Sequence, residues 1–286
     1  MKQLYFILAA IFLISCQPPS DELMVLFKLP KDLKEVSGIT YNKEDNSIFA
    51  IQDRGNGAEI LQLNLNGDWL KSIEITNAKN VDWEDITQDH AGNIYIGDFG
   101  NNENKRQDLS IYKISKEQLS KKNAVAEYKI EFSYPEQTNF PPKKKDLIYD
   151  VESFFELNGS FFLFTKNRSK FFDGTSMLYK VENKPGHQKA ELLGSFVSCG
   201  NYNRCAVTSA AISPDATKIV VLFHDKIILF EDWKGEQILE AKKTIIELGH
   251  TSQKEAVTFL DNETILIADE RKSKEGGNVY QLKIKI

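Results

Sequence analysis

Four glutamates recur in one short context along this chain: Glu35 in KEVSGITY, Glu84 in DWEDITQD, Glu152 in DVESFFEL and Glu255 in KEAVTFLD. Each is followed by a strand-like stretch, a turn and a second apolar strand. Three of those second strands end on an acid, SIFAIQD at Asp53, NIYIGDF at Asp98 and TILIADE at Asp269 and Glu270, whereas SFFLFTK ends on Lys166. A fifth copy, VTSAAISPDATKIVVLFHD, has Thr208 and Ser209 in the glutamate position and closes on His224 and Asp225. Repetition at roughly 45 to 70 residues, in units of short strands, is the signature of a β-propeller, where equivalent positions face one axis.

The strand pattern divides into five blades of an all-β domain over residues 23–286. Asn-Gly and Gly-Asn pairs such as Gly55-Asn56-Gly57 and Asn66-Gly67 suit the tight turns between strands, because they accept positive φ. The last repeat has only three C-terminal strands, and the run Leu23 to Leu29 (LMVLFKL) is expected to supply the fourth. Joining the two ends in this way removes an exposed sheet edge. Six blades is the alternative, with the excursion from Tyr128 to Tyr149 hiding a degenerate unit; an open sandwich would not need the acid to recur in phase. Trp69, Trp83 and Trp233 fall at blade edges, where filling the space between blades is their expected role.

The chain begins with Lys2, an apolar run from Leu4 to Ile14, and Cys16. That run is far shorter than the roughly 20 residues of a spanning helix, and reads as a signal peptide over residues 1–15. Leu13-Ile14-Ser15-Cys16 resembles a lipobox, which implies cleavage before Cys16, acylation of that cysteine and a tether over residues 16–22. The expected location is the cell envelope, lipid-anchored to a bacterial membrane, periplasmic or surface-exposed. Losing Lys2 leaves 35 basic residues against 41 acidic ones, a net charge of −6. With Lys143-Lys144-Lys145 the lone basic block, nucleic acid is not an expected partner, and a monomer is expected. Cys199 and Cys205, with five residues between them in an exported chain, read as a loop-closing disulfide rather than a metal site.

In a propeller the inner strand starts, and the second strand ends, at the same rim. Glu35, Glu84, Glu152 and Glu255 are therefore expected at one mouth with Asp53, Asp98, Asp269 and Glu270. So many carboxylates repel one another unless something positive sits among them. Arg54, Lys166, Arg168, Arg271 and His224 fall at the same strand ends. A hard cation such as Ca²⁺ is the other candidate, with Glu84, Asp98, Glu152 and Glu255 as ligands. The bland reading is that each glutamate merely caps a neighbouring blade. The loop Gly97 to Asp108 adds Asn101, Asn102 and Asp108 as possible oxygen donors, or is a plain hairpin loop.

The run EVSGITYNKEDNSIFAIQDRG, followed by EILQLNLNGDWLKSIEI, resembles the SdiA-regulated propeller family, and DWEDI, GDFGNN and VTSAAISPD resemble propeller lipoproteins of the Bacteroidetes type. The resemblance implies an extracytoplasmic propeller associated with calcium, and carries over no catalytic residue. A more distant likeness is to calcium-dependent six-bladed lactonases and propeller phytases, whose His or Lys/Arg constellations have no clear counterpart here. Three functions stay open: a module binding a metal and a small or peptidic ligand at the acidic mouth, a Ca²⁺-dependent hydrolase of an ester, lactone or phosphoester, and a protein-interaction scaffold. The chain lacks G-x-S-x-G and H-E-x-x-H, and binding is the favoured reading.

Overall fold

The computed structural model describes residues 23–272 and 275–284. The signal segment 1–15, the tether at 16–22 and the lipidation position Cys16 lie outside the described residues. Five sheets, each with four main strands in antiparallel order, follow one another along the chain. Blade 1 contains Val36–Asn42, Ser47–Gln52, Glu59–Asn64 and Trp69–Ile75, and blade 2 contains Trp83–Gln88, Ile94–Asp98, Ser110–Ile114 and Tyr128–Ser133. Blade 3 contains Asp150–Leu157, Ser160–Lys166, Thr175–Glu182 and Glu191–Val197, and blade 4 contains Ser209–Ile212, Lys218–Leu222, Lys226–Glu231 and Lys242–Glu247. Blade 5 is built from Lys254–Phe259, Thr264–Asp269 and Asn278–Lys283, and its outer strand is Met24–Lys28 from the other end of the chain. The inner strands touch in a closed cycle, from blade 1 through to blade 5 and back to blade 1. The molecule is a five-bladed propeller.

The residues explain why each strand takes its place. Second strands are apolar on both sides, and Ile94–Asp98 and Thr264–Asp269 are buried along their whole length. That is the pattern of a strand packed on both faces. Outer strands meet water on one side: Trp69–Ile75 and Lys242–Glu247 are mostly exposed or half-buried. Between the first two strands of blade 3, Asn158 and Gly159 both adopt positive φ, 52° and 78°. Two successive positive values suit the two-residue turn that matches strand twist.

The apolar core consists of five clusters, one at each blade interface. Blade 3 carries the most aromatic material. Phe154 and Phe161 pack toward blade 2, and Phe155, Phe162 and Phe164 pack toward blade 4. Trp83 is fully buried between blades 1 and 2, and Trp233 is half-buried against the blade 3–4 cluster. Trp69 departs from expectation. It is 39% exposed on an outer strand, where no neighbouring blade covers it.

Blades are also clasped in sequence. Asn123–Ala124, in the last connection of blade 2, pairs in parallel with the outer strand of blade 1. Gly186–Lys189 of blade 3 does the same to blade 2. In blade 4 the 3-10 turn Ile238–Glu240 packs on the outer strand of blade 3. The stretch between Ser133 and Asp150 holds only the short turn Lys144–Asp146 and no strand, so there is no sixth blade there. Cys199 and Cys205 form a disulfide around the four-residue helical turn Tyr202–Cys205.

Candidate functional site

The inner strands share one irregularity. Their register with the second strand slips between Val36 and Gly38, Trp83 and Asp85, Val151 and Ser153, and Lys254 and Ala256. The extra residue in each bulge is Ser37, Glu84, Glu152 or Glu255. In blade 4, Thr208 N donates to Leu222 O (3.1 Å) while Ser209 pairs with the same Leu222, which makes Thr208 the fifth member. Bulges re-aim side chains, and all five of these residues line one cavity of about 180 Å³ at the axis.

The recurring glutamate is therefore a real ring position, with one correction. Glu35 does not occupy it. Its carboxylate is exposed and accepts a hydrogen bond from Asn56 Nδ2 at 2.9 Å, two residues before the bulge. Aligning SGIT with EDIT, rather than glutamate with glutamate, places Ser37 opposite Glu84. The shared Ile-Thr pair was the usable signal.

Around this ring the cavity gathers Asp53 and Glu270 from the ends of second strands, Asp82 from the approach to blade 2, and the cations Lys166 and Arg168. Asp98 and Asp269, expected here, are turned into their own blades. Asp98 pairs with Arg106 (3.0 Å) and accepts Asp82 N (3.0 Å). Asp269 accepts Asn278 N (2.7 Å) and the Tyr280 hydroxyl (2.8 Å). Both are buried blade latches rather than mouth residues. His224 sits behind the wall, with Nδ1 on Asn203 O (2.9 Å) and Nε2 3.3 Å from Glu255. Arg271 also lies away from the cavity, donating to Leu29 O at 2.6 Å. In the loop from Gly97 to Asp108 the polar groups mostly hold one another: Asn101 Oδ1 accepts Arg106 N, and Asn104 bridges Asn101 and Tyr149. From that loop, Asn102 alone faces the cavity.

The charges are unevenly matched. Lys166 Nζ lies 3.1 Å from Glu152 and 3.9 Å from Glu255. Arg168 clamps Asp150 (2.6 Å) and Glu152 (2.5 Å), and also donates to the Tyr202 hydroxyl (2.5 Å). Burial works to raise Glu152, yet Lys166 and Arg168 together hold it below the usual carboxylate range. Burial works to lower Lys166, yet Glu152 and Glu255 hold it above the usual lysine range. This side of the mouth is neutralised from within.

The opposite side, from blades 1, 2 and 5, is not. Burial, aided by the nearby Glu152 and Asp82, pushes Glu84 well above its ordinary value. Burial likewise raises Asp82, whose nearest cation, the largely exposed Arg54, is 3.7 Å away. Asp53 is pushed up to about 7 by burial and by Glu35 and Asp82. Glu270 reaches about 8 through burial and Glu255. Buried Asp82 Oδ1 and Ser37 Oγ have no hydrogen-bond partner among the described residues. Unpartnered buried polar atoms are uncommon and call for an explanation. Among the described residues, no three acids, histidines or cysteines are grouped closely enough to form a ready-made metal site.

One residue beyond the ring the wheel shuts. Asp85 accepts from Phe154 N (3.2 Å), Ser209 Oγ (3.3 Å) and Ile86 N (2.9 Å), and Ser209 Oγ accepts Val257 N (3.2 Å). A Cβ on Gly38 would stand 2.7 Å from Ile86 N, so blade 1 closes on this pin only through a glycine. Sequence reading missed Asp85, Asp82 and Asp150. The first two sit within DWEDI beside the glutamate that drew attention, and their roles depend on partners from other blades.

Residues 27–140 match the model of the family described as SdiA-regulated. No curated protein sequence matches the chain. Among solved structures, the chain resembles the PQQ-bound aldose sugar dehydrogenase of Streptomyces coelicolor, with 10% identity, TM-score 0.53, and coverage of 94% of this chain and 100% of that one. It also resembles a chain of a nidogen/laminin complex, with 10% identity, TM-score 0.48, and coverage of 86% and 84%. At 10% identity the likeness to the dehydrogenase speaks for the propeller fold alone.

Proposed function

We propose that this propeller is a binding module that takes a cation at its acidic mouth. The observation that carries the reading is the unmatched half of the ring, where buried Glu84 has no ion pair and Asp82 meets only the largely exposed Arg54, its Oδ1 without a partner among the described residues. Lys166 supports it, because that ammonium already sits between Glu152 and Glu255 and shows what charge the ring accommodates. A cavity of about 180 Å³ fits Ca²⁺ with part of its water shell, or the ammonium end of a small or peptidic ligand. Ca²⁺ prefers hard oxygens, and Ser37, Thr208 and Asn102 add neutral ones to the acids. In the same reading Cys16 carries the lipid that holds the module on a bacterial membrane in the cell envelope.

Calorimetric titration at pH 8 with CaCl₂, and separately with 1,5-diaminopentane, tests it. One of the two should bind once per chain and raise the melting temperature by mass action. The Asp82→Asn/Glu84→Gln double variant should lose that response. No heat and no thermal shift with either cation would sink the reading.

Metal-assisted hydrolysis is the second reading, favoured by Asp53 and Glu270, whose raised values suit a general base near neutral pH. Turnover of a lactone, aryl ester or phosphoester that needs Ca²⁺ and disappears in Asp53→Asn would put it first.

A further inference from the structure

The acidic mouth is not the larger cavity. On the far side of the Asp85 pin the axis opens into a funnel of about 560 Å³. The two cavities share no lining residue. Its floor is apolar, made by Ile39, Ile86, Ala210 and Val257, the second residues beyond the bulge in blades 1, 2, 4 and 5. The next position forms a partial ring of hydroxyls, Thr40, Thr87 and Thr258, the threonines of the repeated Ile-Thr and Val-Thr pairs.

The hollow has a local cause. Blade 3 places Phe154 and Phe155 at these two positions, but both rings are committed to the blade interfaces. Blade 4 has only Ala210 and Ala211 there. Neither blade fills the axis, and the space remains.

We infer that this funnel is a second, independent binding site for an uncharged molecule with an apolar face and peripheral hydroxyl or carbonyl oxygens. Its volume lies in the range of small-molecule pockets, roughly 300–1,000 Å³. The apolar floor favours an apolar face. The Thr40 and Thr87 hydroxyls make no side-chain hydrogen bond among the described residues and can both donate and accept. The lip carries Lys43 and Lys116 against Glu44 and Asp89, a balanced count, and Lys116 is paired with Glu44 at 2.5 Å. In the wall, Glu156 is buried, accepts Gly159 N at 2.6 Å and makes no ion pair with a lysine or arginine among the described residues. An anion would meet that carboxyl.

Nile red, a neutral dye that brightens and shifts blue in apolar surroundings, is the probe. The whole propeller should bind it saturably, one per chain, and at least tenfold more tightly than the anionic dye 1-anilinonaphthalene-8-sulfonate. Ala211→Trp should fill the funnel and weaken binding at least tenfold. Ala210→Val, a smaller intrusion, should weaken it severalfold and guards against a Trp variant that fails to fold. Glu84→Gln at the opposite mouth should leave binding unchanged. Absence of saturable binding, or unaltered binding in a folded Ala211→Trp or Ala210→Val protein, overturns the second site. Equal affinity for the anionic dye overturns the uncharged class. Loss of binding in Glu84→Gln overturns independence.

Discussion

Glu84 and Glu152 hold the same place in successive blades, on the same bulge, lining the same cavity. Their electrostatic situations are opposite. Glu152 has Lys166 and Arg168 within 3.1 Å and is held in its charged form. Glu84 has no ion pair or hydrogen bond among the described residues, and burial drives it toward the neutral acid. The repeat fixes where a side chain points, and the second strand of each blade decides its charge. Where that strand ends Phe-Thr-Lys-Asn-Arg it brings cations; where it ends Gly-Asp-Phe-Gly it does not.

The sharpest way to break this contrast is Lys166→Met. Removing one partner of a buried ion pair leaves an uncompensated charge and costs about 3–5 kcal/mol. A fall of this size should appear in denaturant or calorimetric unfolding, and adding Glu152→Gln should recover much of it. An unchanged stability would mean that Lys166 does not neutralise Glu152.

The same substitution at the two glutamates should then have opposite signs. Glu152→Gln strands Lys166 and should cost about 3 kcal/mol. Glu84→Gln relieves an unmatched acid and should stabilise the protein by about 1 kcal/mol at pH 8. Destabilisation by both would erase the distinction between the two sides.

pH probes the unmatched side as a whole. Asp53 and Glu270 titrate near 4 when unfolded but hold their protons to about 7 and about 8 when folded. Between those limits the folded state binds more protons, so this contribution to stability declines as pH rises from 4 to 8. The melting temperature should fall over pH 5 to 8.5, less steeply in Asp53→Asn/Glu270→Gln and less steeply with a bound cation. The smallest expected effect belongs to Glu35→Gln, within about 0.5 kcal/mol as for other surface changes. It should leave any cation response intact, because Glu35 stands outside the bulge ring.

The five blades were legible because each is written locally. Strands such as SIFAIQ and TILIAD are apolar on both faces, and turn residues such as Asn158-Gly159 fall between them. Ring closure was legible too, since blade 5 visibly lacked a strand and LMVLFKL was spare. The clasps were not. Asn123–Ala124 and Gly186–Lys189 carry no strand pattern of their own, and their pairing is set by an edge in the preceding blade. At the mouth, Glu84, Glu152, Glu255, Asp53, Glu270, Lys166 and Arg168 were found from phase alone. Asp98 and Asp269 were misplaced, because a strand-end acid can turn either to the axis or to its own hairpin, and Arg106 or Tyr280 decides which. Glu35 was misaligned by matching residue type in place of strand position.

The strand that seals the wheel, Met24–Lys28, pairs with Asn278–Lys283. During synthesis the first of these segments emerges long before its partner exists. The ring thus has a built-in test of completeness: a chain cut short before Asn278 leaves blade 5 two strands wide and the leading strand without an edge to join. Only a chain that includes both Met24–Lys28 and Asn278–Lys283 can close the circle.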